Sequence, residues 1–304
     1  MNSTLIQMTL IMLCGVVWRV LKPAQLSAEQ TRLVLTSVVY YLLLPAMIIE
    51  VLWRANIGWH SFQFSLFGMS CIVFGMVLSW LVGTLFKFSS VRLGTMILAS
   101  AFPNVTYMGL PVLGQVFGDW TRSIVIQIDL FAAAPLVFTV GVMIAKHYGE
   151  HQGEQKSLLS FLNAPPFWSA ALAVALNLSG MTAPDWLFGV LEKLSSAVVP
   201  LMLFSMGLAL SWSAMNLSNL PYVLPVVLIK MLFMPLFAMV LIEHLTIADQ
   251  YHAAAVLDVA MPSMLLGVVY CDRYQLDSSL YAMMVTVTTL LSLLVLPFWY
   301  RMVM

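Results

Sequence analysis

The chain has 304 residues, of which 62% are hydrophobic and only 9% charged, far below the quarter typical of soluble domains. Thirteen basic residues balance thirteen acidic ones, which argues against a nucleic-acid partner and leaves an integral membrane protein. At roughly 20 residues per spanning helix this length holds about ten spans and no sizeable soluble domain.

Apolar runs bounded by polar residues predict an all-α polytopic protein with ten transmembrane helices. The spans lie near 3–21, 29–53, 62–86, 92–117, 122–145, 164–181, 187–211, 220–243, 250–270 and 277–300. The first run has no basic residue before it and is followed by Arg19, Lys22 and Arg32, the reverse of a secretory signal, so it is expected to remain as a span. Cys14, Cys71 and Cys271 are scattered without metal or redox spacing and read as packing residues. The tryptophans Trp18, Trp53, Trp59, Trp120 and Trp186, with Tyr300, fall near span ends, as an interfacial belt would. Glu50, close to the end of the second span, is expected to reach the headgroup level.

The fourth span carries Pro103, Asn104, Thr106, Gly109 and Pro111 where leucines would be ordinary. Lipid offers no partner for a carbonyl freed by proline, so such a break belongs where protein or a wet cavity surrounds it. The ninth span breaks in the same way at Pro262-Ser263.

These breaks are part of a wider likeness between the two halves. Leu43-Leu44-Pro45-Ala46-Met47 aligns with Val198-Val199-Pro200-Leu201-Met202, 155 residues on. Leu98, Ala101 and Pro103 align with Leu257, Ala260 and Pro262, 159 residues on. A duplicated unit of five spans enters the membrane inverted the second time. The expected division is a first repeat over 1–146, a cytoplasmic linker over 147–163 and a second, inverted repeat over 164–304.

Orientation follows from the basic residues. With the first span starting outside, the inner side holds eight of them, Arg19, Lys22, Arg32, Lys87, Arg92, Lys146, Lys156 and Arg273. The outer side holds four, Arg54, Arg122, Lys193 and Arg301. The positive-inside rule therefore places both termini outside.

Asn104 and Ser263 each follow a mid-span proline and are favoured helix N-caps, so each is expected to open a half-helix. Two helix N-termini near the midplane, each equivalent to about half a positive charge, suit a carboxylate. Lys230 in the eighth span and Asp258, one turn before Pro262, are a candidate charge pair. They are either a permanent structural ion pair or groups that counter the anion and take up a proton with it. Asp129 in the fifth span is a third charged candidate, without an assigned partner. Pro45 and Pro200 either line the site or merely kink their helices. His147-Tyr148-Gly149-Glu150-His151 matches an inverted zinc-peptidase pattern, but Gly149 and its place at the start of a loop exclude a metal helix, so no metal and no resident cofactor are expected.

Pro103-Asn104-Val105-Thr106-Tyr107-Met108-Gly109-Leu110-Pro111-Val112-Leu113, followed by Phe117-Gly118-Asp119, closely resembles the fourth-helix motif of the auxin efflux carrier family. Lys230-Met231-Leu232-Phe233-Met234-Pro235, Ala260-Met261-Pro262 and Leu296-Pro297 agree with it, over essentially the whole chain. The resemblance implies a fold like that of the plant PIN carriers and bile-acid sodium symporters, with helices 4 and 9 crossing at their prolines beside the substrate. It implies a scaffold of helices 1, 2, 6 and 7, a mobile transport domain of helices 3–5 and 8–10, and a homodimer through the scaffold in the bacterial inner membrane.

The implied activity is secondary, elevator-type transport of a small organic anion, a carboxylate such as malonate or malate or an auxin-like acid, with proton coupling, sodium coupling and uniport all open. Carried over to this chain, Pro103, Asn104, Thr106, Tyr107, Pro262, Ser263, Pro45 and Pro200 are candidate substrate-binding residues, while Lys230, Asp258 and Asp129 are candidate coupling charges. The ninth span departs from the plant pattern in Ser263-Met264-Leu265-Leu266, where no second asparagine stands. An anion channel or a transporter-like membrane sensor is the alternative. A membrane enzyme lacks a nucleophile or metal set.

Overall fold

A computed structural model describes residues 2–55, 58–149, 165–210 and 215–304. Most of the linker expected over 147–163, including Lys156 and the Glu150 and His151 of the peptidase-like pattern, lies outside the described residues.

Every regular element among them is helical: α1 (Asn2–Leu21), α2 (Ala28–Trp53), α3 (Trp59–Leu85), α4 (Ser90–Ala101), α5 (Val105–Phe117), α6 (Trp120–Tyr148), α7 (Pro165–Leu178), α8 (Asp185–Ala209), α9 (Leu217–Glu243), α10 (Asp249–Val259), α11 (Gly267–Tyr274) and α12 (Ser278–Val303). Six of these, α2, α3, α6, α8, α9 and α12, are long and apolar enough to cross a membrane, and α1, α4, α5 and α7 are shorter apolar helices. The boundaries follow local chemistry. Ser27 and Gln30 form a reciprocal capping box at the start of α2, each side chain meeting the other's backbone N–H at 3.1 Å. Asp277 caps α12 by accepting from Leu280 N–H at 2.9 Å.

Four prolines shape the helix interiors by one rule. Proline has no N–H, and its ring crowds the carbonyl four residues back. Before Pro45, Pro111, Pro135 and Pro235 the backbone widens into a π-type turn, over Val39–Leu43, Val105–Gly109, Asp129–Ala133 and Ile229–Phe233. In each, the residue before the proline donates five residues back: Leu44 to Val39, Leu110 to Val105, Ala134 to Asp129, Met234 to Ile229. The widened turn leaves a carbonyl over. That of Met231, four residues before Pro235, accepts the Trp299 indole N–H from α12 at 2.7 Å. Thr106, Tyr107, Asp129 and Lys230 all sit in these wide turns.

Packing sorts the helices into two groups. α1, α2, α7 and α8 lie against one another, with α1 running along α8 and α7 along α2. The α1–α8 crossing is set by Gly15 and Gly207, where a Cβ on either residue would overlap the backbone of the facing helix. Close backbone approach is what draws helices together where lipid supplies no hydrophobic driving force. α3, α4, α9, α10, α11 and α12 form the other group, and α5 and α6 line the seam between the two.

Two expectations about side chains change. Trp53 is buried, its indole donating to Met181 O at 2.9 Å, so it is a packing residue and not part of a belt, whereas Trp59, Trp120 and Trp186 are exposed. Glu50 is half-buried and its Oε2 is enclosed without a hydrogen-bond partner, so it does not reach outward as expected.

Candidate functional site: the crossing of two broken helices

Between α4 and α5 and between α10 and α11 the chain runs extended, and the two extended pieces meet as an antiparallel bridge of Pro103 with Ser263. Asn104 N–H donates to Pro262 O at 2.8 Å, and Met264 N–H donates to Phe102 O at 3.0 Å. Pro103 and Ser263 are the non-hydrogen-bonded pair of this pattern, so the bridge requires no N–H from residue 103 and proline fits there. Two further groups are met by α12: Ser263 N–H donates to Thr288 Oγ1 at 3.2 Å, and Tyr281 OH donates to Met264 O at 2.8 Å. Protein thus supplies partners to the broken backbone, as a non-helical segment at membrane depth requires.

Asn104 joins several elements. Its carbonyl accepts from Met108 N–H and Gly109 N–H, both at 3.1 Å, closing the wide first turn of α5. Its side chain does not cap that helix, contrary to the sequence expectation. The side-chain amide instead donates to the sulfur of Met206 on α8 at 3.2 Å. Ser263 also departs from expectation. Held in the bridge, it opens no helix, and α11 begins only at Gly267. Its hydroxyl is buried without a partner.

The other candidates fall around this centre. Pro103 and Pro262 are buried in the crossing itself. Thr106 and Tyr107 are half-buried in the first turn of α5, and the Thr106 hydroxyl donates to Asp129 Oδ2 in the wide turn of α6, which supplies the partner the sequence left unassigned. Pro45 is half-buried in α2. Pro200 is exposed on α8.

Asp258 is fully buried on α10, and neither carboxylate oxygen has a hydrogen-bond partner. It lies against Gly109, whose missing side chain leaves room for Oδ1. Lys230, equally buried, is not ion-paired with it; the ammonium sits 3.3 Å from the sulfur of Met234, one turn on. Asp258 is near enough to both Lys230 and Asp129 to interact with them electrostatically. No ion pair joins Lys230 to Asp258 in this structure, whose ion pairs among the described residues are Arg19–Glu29, Arg122–Asp119 and His252–Asp249. A buried charge without a partner is costly, so these positions are expensive to maintain.

Sequence reasoning missed the backbone bridge and Met206. No residue pattern announces the bridge, and Met206 is one methionine among 22. Asp129 opens the wide turn before Pro135, which the residues alone do not announce, since Pro297 stands inside α12 with no wide turn before it.

A family model described as membrane transport protein matches residues 2–300. Among individual proteins, the chain is 28% identical over 282 residues to an uncharacterized transporter of Methanocaldococcus jannaschii, covering 89% of each chain. It is also 28% identical over 304 residues to an uncharacterized transporter of Methanothermobacter thermautotrophicus, covering 98% of this chain and 97% of that one.

Proposed function

The chain belongs to the membrane transport protein family, the auxin efflux carrier family, and from that premise we propose that this membrane transporter is a secondary carrier of a small organic anion whose site is the crossing of α4–α5 with α10–α11. The observation that carries the reading is the Asn104 amide: buried, fixed by both broken helices through Pro262, and directed across the seam towards α8. An amide donor beside the N-terminus of α5, with the Ser263 hydroxyl opposite, offers a carboxylate hydrogen bonds and a favourable helix dipole.

In this reading α1, α2, α7 and α8 are the scaffold. α3–α6 and α9–α12 move past it as one body, an elevator-type alternating access supported by the way the helices group. The matching order of helices before and after the linker supports two inverted repeats, 1–146 and 164–304. Asp258 and Lys230 travel with the moving body, where an unpaired charge must be neutralised for the body to cross the apolar seam; we assign the coupling to Asp258. A homodimer through the scaffold, the bacterial inner membrane and termini on the outer side complete the proposal.

The test is counterflow of radiolabelled malonate in vesicles reconstituted with purified protein, alongside malate and an indole carboxylic acid. Saturable counterflow that Asn104→Ala abolishes is the expected result. Unsaturable flux would make the protein a channel, and unaltered binding in Asn104→Ala would displace the site.

A further inference from the structure

The acceptor chosen by Asn104 is chemically odd. A thioether sulfur is a weak hydrogen-bond acceptor, yet among the described residues the nitrogen of this buried amide donates to Met206 Sδ, at 3.2 Å, with both residues 1% exposed. The same choice recurs nearby, where the Lys230 ammonium rests on Met234. Buried donors normally take oxygen acceptors, since a poorly satisfied donor costs much of its desolvation energy.

A weak acceptor has one advantage: it is easily displaced. A carboxylate oxygen forms a charge-assisted bond roughly twice as strong as a neutral one, so it outcompetes the sulfur for the same N–H. Methionine, unbranched and with three rotatable bonds, can then withdraw without disturbing its neighbours. Position adds a consequence. Met206 belongs to α8 and Asn104 to the start of α5, so this bond ties one helix group to the other across the seam.

We propose that Met206 is a positioning residue for transport: its sulfur holds the Asn104 amide aimed at the site, yields it to a substrate carboxylate, and so couples anion binding to release of the crossing from α8. The proposal rests on the reading of the crossing as the substrate site.

Two substitutions separate the roles of shape and acceptor strength. Met206→Leu conserves volume and removes the acceptor; Met206→Gln keeps the length and supplies a strong one. With malonate as the probe, calorimetry should show Met206→Gln binding about tenfold more weakly and Met206→Leu binding at least as tightly as the natural protein. The Asn104 side-chain amide signals, in protein labelled with nitrogen-15 asparagine, should differ between Met206→Leu and the natural protein without malonate and coincide at saturation.

Equal malonate affinity in all three proteins, or an amide signal indifferent to residue 206, overturns the proposal. If Asn104→Ala abolishes malonate binding while both Met206 variants behave naturally, only the role of Met206 fails. If Asn104→Ala binds normally, or the natural protein takes no malonate, the reading of the site fails and this proposal goes with it.

Discussion

Pro103 and Ser263 face each other across a two-bond antiparallel bridge, so two helices interrupted in mid-membrane each supply the other's missing backbone partners. The geometry uses proline where no N–H is wanted. Alanine at 103 would bring an N–H that the bridge does not satisfy but that α4 can use by extending towards Ala99 O. Pro103→Ala is therefore expected to fold yet to misplace Asn104, and a displacement on this scale lowers uptake by about tenfold or more. Malonate counterflow alongside a melting curve checks it; full activity would mean that the bridge tolerates a longer α4.

Gly109 and Asp258 form the second contact that holds the broken helices together. A methyl group at 109 would press on Asp258 Oδ1, and overpacking of this kind costs about 1–3 kcal/mol. Gly109→Ala should lower the melting temperature, and adding Asp258→Ala should restore most of it by making room. Additive losses in the double variant would mean that the two residues act independently.

Lys230 and Asp258 are both buried and not paired with each other, so their charges burden the fold. Lys230→Met, nearly isosteric, should retain folding while slowing transport. Asp258→Asn should retain folding and lose the pH dependence of counterflow, because the amide cannot exchange a proton. A pH profile unchanged by Asp258→Asn would remove the carboxyl from coupling.

The membrane character, the order of the apolar spans and the breaks at Pro103 and Pro262 were all legible in the residues, because lipid punishes polar and proline positions so severely that their presence is informative by itself. Helix ends at the breaks were less legible. Ser263 has the composition of a helix start, yet the bridge holds it extended and α11 waits until Gly267. Pro200 aligns with Pro45 in sequence, yet Pro200 is exposed where Pro45 is half-buried, since alignment carries no information about which face meets a neighbour.

The sequence by itself determined the class of molecule and where its helices fail, since hydropathy and proline chemistry act locally. It also placed Asp129 and Lys230 within apolar spans, where a charged residue is informative. Only the tertiary structure decided what those residues meet: Thr106 for Asp129, a methionine sulfur for Lys230, Gly109 for Asp258, and Met206 for Asn104. Apart from the sulfur one turn on from Lys230, these partners lie 23 to 149 residues apart in the chain. Which of them meet depends on the packing of whole helices, and no local pattern of residues encodes it.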